Sequence, residues 1–151
     1  MVEYMKDEGN YRHLIRYNDI FKKNNDIYND FIRTIGMSEC AFWILYSIKA
    51  APQGITQKEI CEMMYEPKQT VNSAIKKLCE EEYLYLERVE NTRSKSVYLT
   101  KKGEEIADKT ALIMINNEAE AFERMGEDGE EFLRLYDKYT ELLKTVCNEN
   151  I

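Results

Sequence analysis

The chain has 151 residues, of which 44% are hydrophobic and 32% are charged, and its formal net charge is −7. This length suits a single domain that buries its own core, and no apolar run approaches the roughly 20 residues of a membrane span. Residues 1–10 are acidic and lack the apolar segment of a secretory leader. We therefore predict a cytoplasmic protein with no membrane partner.

The cysteines and the histidine show no metal-ligand spacing. Cys40, Cys61, Cys79 and Cys147 are scattered without a CxxC pair, and His13 is the only histidine. In a cytosolic chain such thiols are reduced. We predict neither a metal nor another cofactor, whereas oxidation of one thiol as a redox signal stays open.

The acidic excess lies in the last third of the chain. Residues 104–151 hold 13 acidic and 5 basic side chains, whereas residues 51–103 hold 8 acidic and 9 basic ones. Three of those eight acids cluster at Glu80–Glu82. The local potential matters more than the net charge for binding a polyanion, so the overall charge does not exclude nucleic acid as a partner of the middle segment.

The first predicted element is a long helix at about residues 9–35. Between Tyr11 and Ile32, apolar residues recur at roughly helical spacing and form a broad stripe. No neighbouring segment obviously covers this stripe, so a partner chain is its expected cover.

A second helix follows, with Ser38 as its N-cap and Glu39 in its first turn. It is apolar on nearly every side as far as Ile48, which predicts a position at the centre of the fold. Trp43 and Tyr46 belong to this helix. Such residues more often pack in a core, but these two are our candidates for lining an effector pocket.

The third and fourth predicted helices form a helix-turn-helix. Thr56–Glu59 is a capping box that starts a short third helix, and the fourth spans Lys68–Glu81. One face of the fourth helix is apolar. The other carries polar groups suited to base edges (Gln69, Thr70, Asn72, Ser73) and cations suited to phosphates (Lys68, Lys76, Lys77). Taken alone, this pattern also fits an ordinary surface helix.

Two strands and a polar connection come next. Leu84 and Leu86, and then Val97 and Leu99, alternate with polar neighbours, as antiparallel strands with one buried face do. The connection, Glu90–Ser96, is predicted to hold its basic residues at a hairpin tip. A helix followed by such a hairpin is the layout of a winged helix-turn-helix, whose wing reaches the flanking backbone or minor groove. The predicted wing contacts to DNA are Arg93, Ser94 and Lys95.

After the wing, Thr100 is predicted to cap one long helix that Gly126 and Gly129 interrupt. A final amphipathic helix follows at Phe132–Cys147. Its apolar stripe, like that of the first helix, is wider than a small winged module can cover. Both stripes are therefore predicted to pair in a homodimer.

In element order and in motifs, nearly the whole chain resembles the MarR family of bacterial winged helix-turn-helix transcriptional regulators. The resemblance rests on the segment Lys68–Leu78, the wing Asn91–Ser94 and the turn Leu99–Gly103. Relatives often have an aspartate at the position of Asn91, where it orients the wing arginine. An arginine is frequent at the position of Ser73 and a glycine at that of Glu82, so the operator sequence cannot be borrowed from relatives.

The resemblance implies a mainly α fold with a small β-wing, built as one domain over residues 1–151. Long helices at about 9–35 and 104–151 would form the dimer, and about 38–103 would form the winged DNA-binding lobe. The family further implies a palindromic operator in double-stranded DNA and release by small phenolic or other ligands, or by thiol oxidation in some members.

We therefore predict a homodimeric, sequence-specific DNA-binding regulator, a repressor released by a small aromatic or other apolar effector. Two alternatives stay open: a winged-helix module that binds proteins rather than an operator, and a thiol-based redox regulator. We do not predict an enzyme, because the sequence has no glycine-rich phosphate loop, no nucleophile–base motif and no paired carboxylates placed for catalysis.

Overall fold

The computed structural model describes residues 8–51 and 54–150. Within them the chain forms seven helices and three short strands: α1 (Glu8–Ile35), α2 (Glu39–Ala50), β1 (Ile55–Thr56), α3 (Gln57–Met63), α4 (Lys68–Glu80), β2 (Leu84–Arg88), β3 (Lys95–Leu99), α5 (Lys101–Asp108), α6 (Ala111–Met125) and α7 (Glu127–Glu149). This confirms the predicted fold class. Residues 1–7, on which the prediction of no leader mostly rests, lie outside the described residues. No described helix is long and apolar enough to cross a membrane.

The predicted N-caps Ser38, Thr56 and Thr100 are present at the starts of α2, α3 and α5. The Ser38 hydroxyl accepts a hydrogen bond from the Ala41 N–H at 3.3 Å at the start of α2. At α3, Thr56 and Glu59 form both bonds of a capping box. These bonds satisfy N–H groups that no helical carbonyl can reach, so short local motifs fix where these helices begin.

The core of the winged module is built around α2, as predicted. Phe42, Ile44 and Leu45 are completely buried. Helices α3 and α4 direct Ile60 and Val71 into the same core. Because α3 and α4 both bury apolar side chains, their opposite faces are held at a fixed position on the surface.

The sheet has three strands in the order β1-β3-β2, all antiparallel. Strand β1 was not predicted; its Ile55 pairs with Val97 of β3. In the predicted hairpin, Leu84 pairs with Leu99 and Leu86 with Val97. The inward face of the sheet is therefore the apolar one that the sequence alternation indicated.

The prediction of one long helix after the wing is wrong, because α5 and α6 are separate helices. At their junction the Thr110 hydroxyl donates to the Ile106 carbonyl at 2.7 Å, and the Thr110 N–H bonds to Ala107 at 3.3 Å, a tighter turn than an α-helix makes. Gly126, with φ 57°, joins α6 to α7. Gly129 lies in the first turn of α7 and does not interrupt a helix, so that part of the prediction is also wrong.

Contacts divide the chain into two compact units, Met1–Ala111 and Leu112–Ile151. The first contains α1 to α5 and the sheet. In the second, α6 and α7 contact each other through Phe122 and Phe132, whose ring centroids are 6.3 Å apart. Apart from Gly129, all of α7 is exposed, including an apolar stripe along its whole length.

Candidate nucleic-acid interface

Helix α4 presents a polar and cationic face to solvent. Its buried residues are Val71, Ile75 and Leu78. Six of the seven α4 residues predicted to contact DNA are exposed: Lys68, Gln69, Thr70, Ser73, Lys76 and Lys77. The helix can therefore offer hydrogen-bonding groups and positive charge to a groove without disturbing the core.

Asn72, the seventh predicted residue, is half-buried and contacts α3. Its side-chain Oδ1 accepts a hydrogen bond from Gln57 Nε2 at 2.8 Å and another from Cys61 Sγ at 3.3 Å. The structure thus places Asn72 between the two helices of the helix-turn-helix. Its carbonyl oxygen fixes the position of α4 relative to α3.

The wing turn spans 89–94, so it begins one residue before the predicted connection, Glu90–Ser96, and ends two residues before it. The Thr92 N–H and hydroxyl both bond to the Val89 carbonyl at 3.2 Å, and Thr92 Oγ1 accepts from the Ser94 N–H at 3.1 Å. Asn91 has φ 59°, a left-handed conformation that asparagine tolerates better than most residues. Among the described residues no hydrogen bond joins Asn91 to the exposed Arg93, so Thr92, not Asn91, holds this turn.

Lys95 differs from its predicted position at the hairpin tip. It is the first residue of β3 and pairs with Arg88 of β2, so the ladder fixes its backbone. Arg93 and Ser94 remain in the turn. The wing thus presents one cation from a regular strand and one from a loop.

A basic cleft lies between α3, α4 and the wing and has a volume of about 280 Å³. Four cationic side chains line it: Lys58, Lys68, Arg93 and Lys95. The sequence analysis did not predict Lys58, which lies in the first turn of α3. Its position within the capping box Thr56–Glu59, which places it at the start of the first helix of the helix-turn-helix, was the available signal. Cations from three separate elements therefore surround one concave site.

The end of α4 is a Schellman motif. The Tyr83 N–H bonds to the Leu78 carbonyl at 2.9 Å, and the Glu82 N–H bonds to Cys79 at 3.0 Å. Glu82 has φ 61°, a left-handed backbone conformation that glycine adopts without strain. Glycine is also the residue that is frequent at this position in relatives.

The base of the wing is held by Thr100 and Gly103. The Thr100 N–H donates to the Tyr83 carbonyl at 3.0 Å, and its hydroxyl donates to the Glu82 carbonyl at 2.5 Å while accepting from the Gly103 N–H at 3.0 Å. These bonds join the end of α4, both wing strands and the start of α5.

A separate cavity of about 330 Å³ lies between α2 and the segment that links α3 to α4. Trp43 and Tyr46, the two candidate effector-pocket residues, both line it. Their ring centroids are 5.3 Å apart, and Trp43 lies at the same distance from Tyr28 of α1. The structure thus places both candidates on one aromatic wall.

Burial raises the thiol pKa of Cys40, Cys61 and Cys79. For Cys40 the nearby Glu66 carboxylate raises it further. A raised pKa lowers the thiolate fraction at neutral pH, and the thiolate is the reactive form. Among the described residues, no group of three or more His, Cys, Asp or Glu side chains could hold a metal ion.

The sequence of residues 35–93 matches the model of the MarR family. The matched segment runs from the end of α1 through the helix-turn-helix and β2 into the wing turn. No curated protein sequence gives a significant match.

Solved structures share the MarR-type fold. The chain is similar to NMB1585, a MarR family regulator from Neisseria meningitidis, with a TM-score of 0.74 and 22% identity over 92% of this chain and 99% of that one. It is also similar to S. aureus MepR in its DNA-binding conformation, with a TM-score of 0.67 and 20% identity over 90% of this chain and 98% of that one. The S. aureus MepR–DNA complex gives a TM-score of 0.59, with 20% identity over 90% and 97%.

Proposed function

We propose that this chain is a cytoplasmic, homodimeric, sequence-specific DNA-binding transcriptional regulator, and that it represses until a small effector releases it. The observation that carries the proposal is the basic cleft beside the exposed face of α4. Lys58, Lys68, Arg93 and Lys95 surround it. A phosphate backbone provides the complementary charge, and the exposed polar side chains of α4 can form hydrogen bonds with base edges.

The roles within this interface follow from position. We assign base-edge contacts to the exposed Gln69, Thr70 and Ser73 on α4. Asn72 would contribute only its amide nitrogen, because its oxygen is bonded to α3. The likeness in fold to the S. aureus MepR–DNA complex supports this docking of α4 and the wing.

Dimerisation through α1 and α7 is supported by their exposed apolar side chains. Ile20 and Ile27 of α1 are 56% and 62% exposed, and Leu142 of α7 is 54% exposed. Fully burying one such side chain contributes about 1.5–3 kcal/mol, so two long stripes have a strong tendency to associate. A two-fold dimer places two α4 helices in successive major grooves about 10 bp apart, or a multiple of that, on a pseudo-palindrome.

The dimer is tested by sedimentation of the Leu142→Glu variant beside a Lys138→Glu control, which alters a polar site on the same helix. We expect the first to dissociate at micromolar concentration and the second to stay dimeric. A wild-type monomer at that concentration would contradict the assembly.

The DNA contact is tested by gel shift and fluorescence anisotropy with fragments from upstream of the protein's own coding sequence. We expect a footprint with two-fold symmetry. Lys58→Ala should weaken binding to every sequence. It should reduce the slope of log K against log salt by less than the value of about 0.9 for one full phosphate contact, because Lys58 also pairs with Glu62 at 3.6 Å. Lys109→Ala, an exposed lysine outside the cleft, is the matched control. Equal slopes for both variants would remove Lys58 from the interface.

The cavity beside Trp43 and Tyr46 is the proposed effector site for an aromatic or other apolar molecule. It lies against the segment between α3 and α4, so an occupant can shift one helix of the helix-turn-helix against the other. We expect a bound effector to lower the affinity for the operator.

Two alternatives are less well supported. A module that only binds proteins has no need of four cations around one cleft. A thiol sensor needs a reactive thiolate, whereas the pKa values of Cys40, Cys61 and Cys79 are raised. Retained DNA binding after peroxide treatment would count further against the thiol sensor.

A further inference from the structure

The cavity between α2 and the α3–α4 segment has walls of two kinds. Helix α2 contributes Trp43 and Tyr46, the end of α3 contributes Met63, and the linking segment contributes Met64 and Tyr65. Tyr65 is fully exposed and Met63 is 58% exposed, so the outer wall presents apolar surface to solvent. A volume of about 330 Å³ lies at the lower end of the range of about 300–1,000 Å³ for small-molecule sites, which fits one or two rings.

The charged groups of this cavity are all acidic. Glu39 lines it from the first turn of α2 and Glu66 from the end of the linking segment, and no lysine or arginine lines it. Neither carboxylate forms an ion pair within the part of the chain that the structure describes. The Cys40 thiol, which also lines the cavity, has its pKa raised by burial and then by Glu66, as a negative local potential requires.

The aromatic wall favours positive charge for an independent reason. Trp43 and Tyr46 meet edge to face, with ring planes at 67°. An aromatic face is electron-rich and attracts a cation within about 6 Å, most strongly for Trp. The polarisable sulfurs of Met63 and Met64 suit an aromatic ring next to such a cation.

We propose that this cavity binds a small aromatic monocation, one or two rings that carry a quaternary ammonium or similar group. The positive charge would lie between Glu39 and Glu66, and the ring would pack against Trp43. The same carboxylates repel anions, so the site discriminates against benzoate-like ligands. This proposal refines the effector part of the proposed function. It rests on that function only for the expectation that binding of the cation releases DNA.

The binding test uses the fluorescence of Trp43, because it is the only tryptophan of the chain. The full chain is titrated, without DNA, with benzyltrimethylammonium, with its neutral isostere neopentylbenzene and with benzoate. We expect the cation to quench Trp43 with a Kd at least tenfold below that of the isostere, and benzoate to leave the emission unchanged. Equal affinities for cation and isostere, a preference for benzoate, or no quenching by the cation would overturn the proposal.

Three variants locate the charge. Glu39→Gln and Glu66→Gln should each weaken the cation about three- to tenfold and leave the neutral isostere unaffected. Glu62→Gln is the matched control, because Glu62 lies on α3, pairs with Lys58 at 3.6 Å and does not line the cavity. Cation affinity that is unchanged in both cavity variants, or lowered equally by the control, would refute the assignment.

Because this titration contains no DNA, it fails or succeeds independently of operator binding. A chain that binds the cation but shifts no DNA fragment would refute the proposed regulator and leave the cation site standing. A chain that shifts DNA but ignores the cation would refute the cation site alone.

Discussion

Replacing Gly103 by alanine tests how the wing is attached to the rest of the fold. A Cβ at this position would lie 1.9 Å from the Tyr83 carbonyl oxygen and 3.2 Å from Leu99 Cδ2. An ordinary contact begins near 3.4 Å, so the two backbones must separate by roughly 1.5 Å, the difference between those distances. The Tyr83 oxygen also accepts the 3.0 Å bond from the Thr100 N–H, which cannot survive such a shift.

The cost of Gly103→Ala combines overpacking, about 1–3 kcal/mol, with a lost hydrogen bond, about 0.5–1.5 kcal/mol. A total of about 2–4 kcal/mol corresponds to a fall in Tm of about 5–15 °C for a chain of this length. The assay is thermal unfolding followed by circular dichroism at one fixed protein concentration, because dimerisation makes Tm depend on concentration. Glu105→Ala, an exposed site on the same helix, is the control. A Tm for Gly103→Ala within 2 °C of wild type would refute the reasoning.

Three further predictions concern single side chains. Glu82→Gly should relieve the backbone strain of the left-handed conformation at φ 61° and raise the free energy of unfolding by about 1 kcal/mol. Glu82→Ala should give no such gain, because alanine is strained there too. Urea unfolding of both variants measures the difference. Hydrogen bonds from Thr56 lower the pKa of Glu59 in the folded chain. The stability that the Glu59 carboxylate contributes is therefore present above its unfolded pKa and is lost as the pH falls through its folded pKa. Glu59→Gln should be less stable than wild type at neutral pH, and this difference in unfolding free energy should vanish below the folded pKa. Arg93→Ala should lower the affinity for DNA and also remove any preference for A·T-rich flanks, because their narrow minor groove attracts arginine. Lys95→Ala should lower the affinity alone. Fluorescence anisotropy with A·T-rich and G·C-rich flanks compares the two variants.

Features set by neighbouring residues could be predicted from the sequence. The capping box at Thr56 and the caps at Ser38 and Thr100 need only residues within one turn, and each is present. The apolar face of α4 follows from helical spacing alone. The left-handed backbone of Glu82 was not predicted, although the glycine that is frequent there in relatives was the available signal.

Features that depend on distant partners could not be predicted in the same way. Strand β1 has two residues and exists because Ile55 and Thr56 pair with β3, a contact that no local pattern encodes. The basic cleft joins Lys58 to Lys95 across a long stretch of sequence. Asn72 looked like a residue of the exposed face because its spacing fits that face, yet the amide of Gln57 draws its oxygen toward α3.

The number of cations on α4 overstates its contribution to salt-dependent binding. Lys76 lies 3.7 Å from Glu80 and Lys77 lies 3.9 Å from Glu81, both exposed pairs one helical turn apart, whereas Lys68 forms no ion pair among the described residues and faces the cleft. When a lysine leaves its glutamate to bind a DNA phosphate, the freed glutamate attracts a cation from solution. This uptake offsets part of the cation release from DNA that makes binding depend on salt. Lys68→Ala should therefore reduce the salt slope by about 0.9, and Lys76→Ala by clearly less. Identical reductions, measured by anisotropy across a salt series on one operator, would show that these surface pairs do not persist in solution, as the weakness of exposed pairs allows.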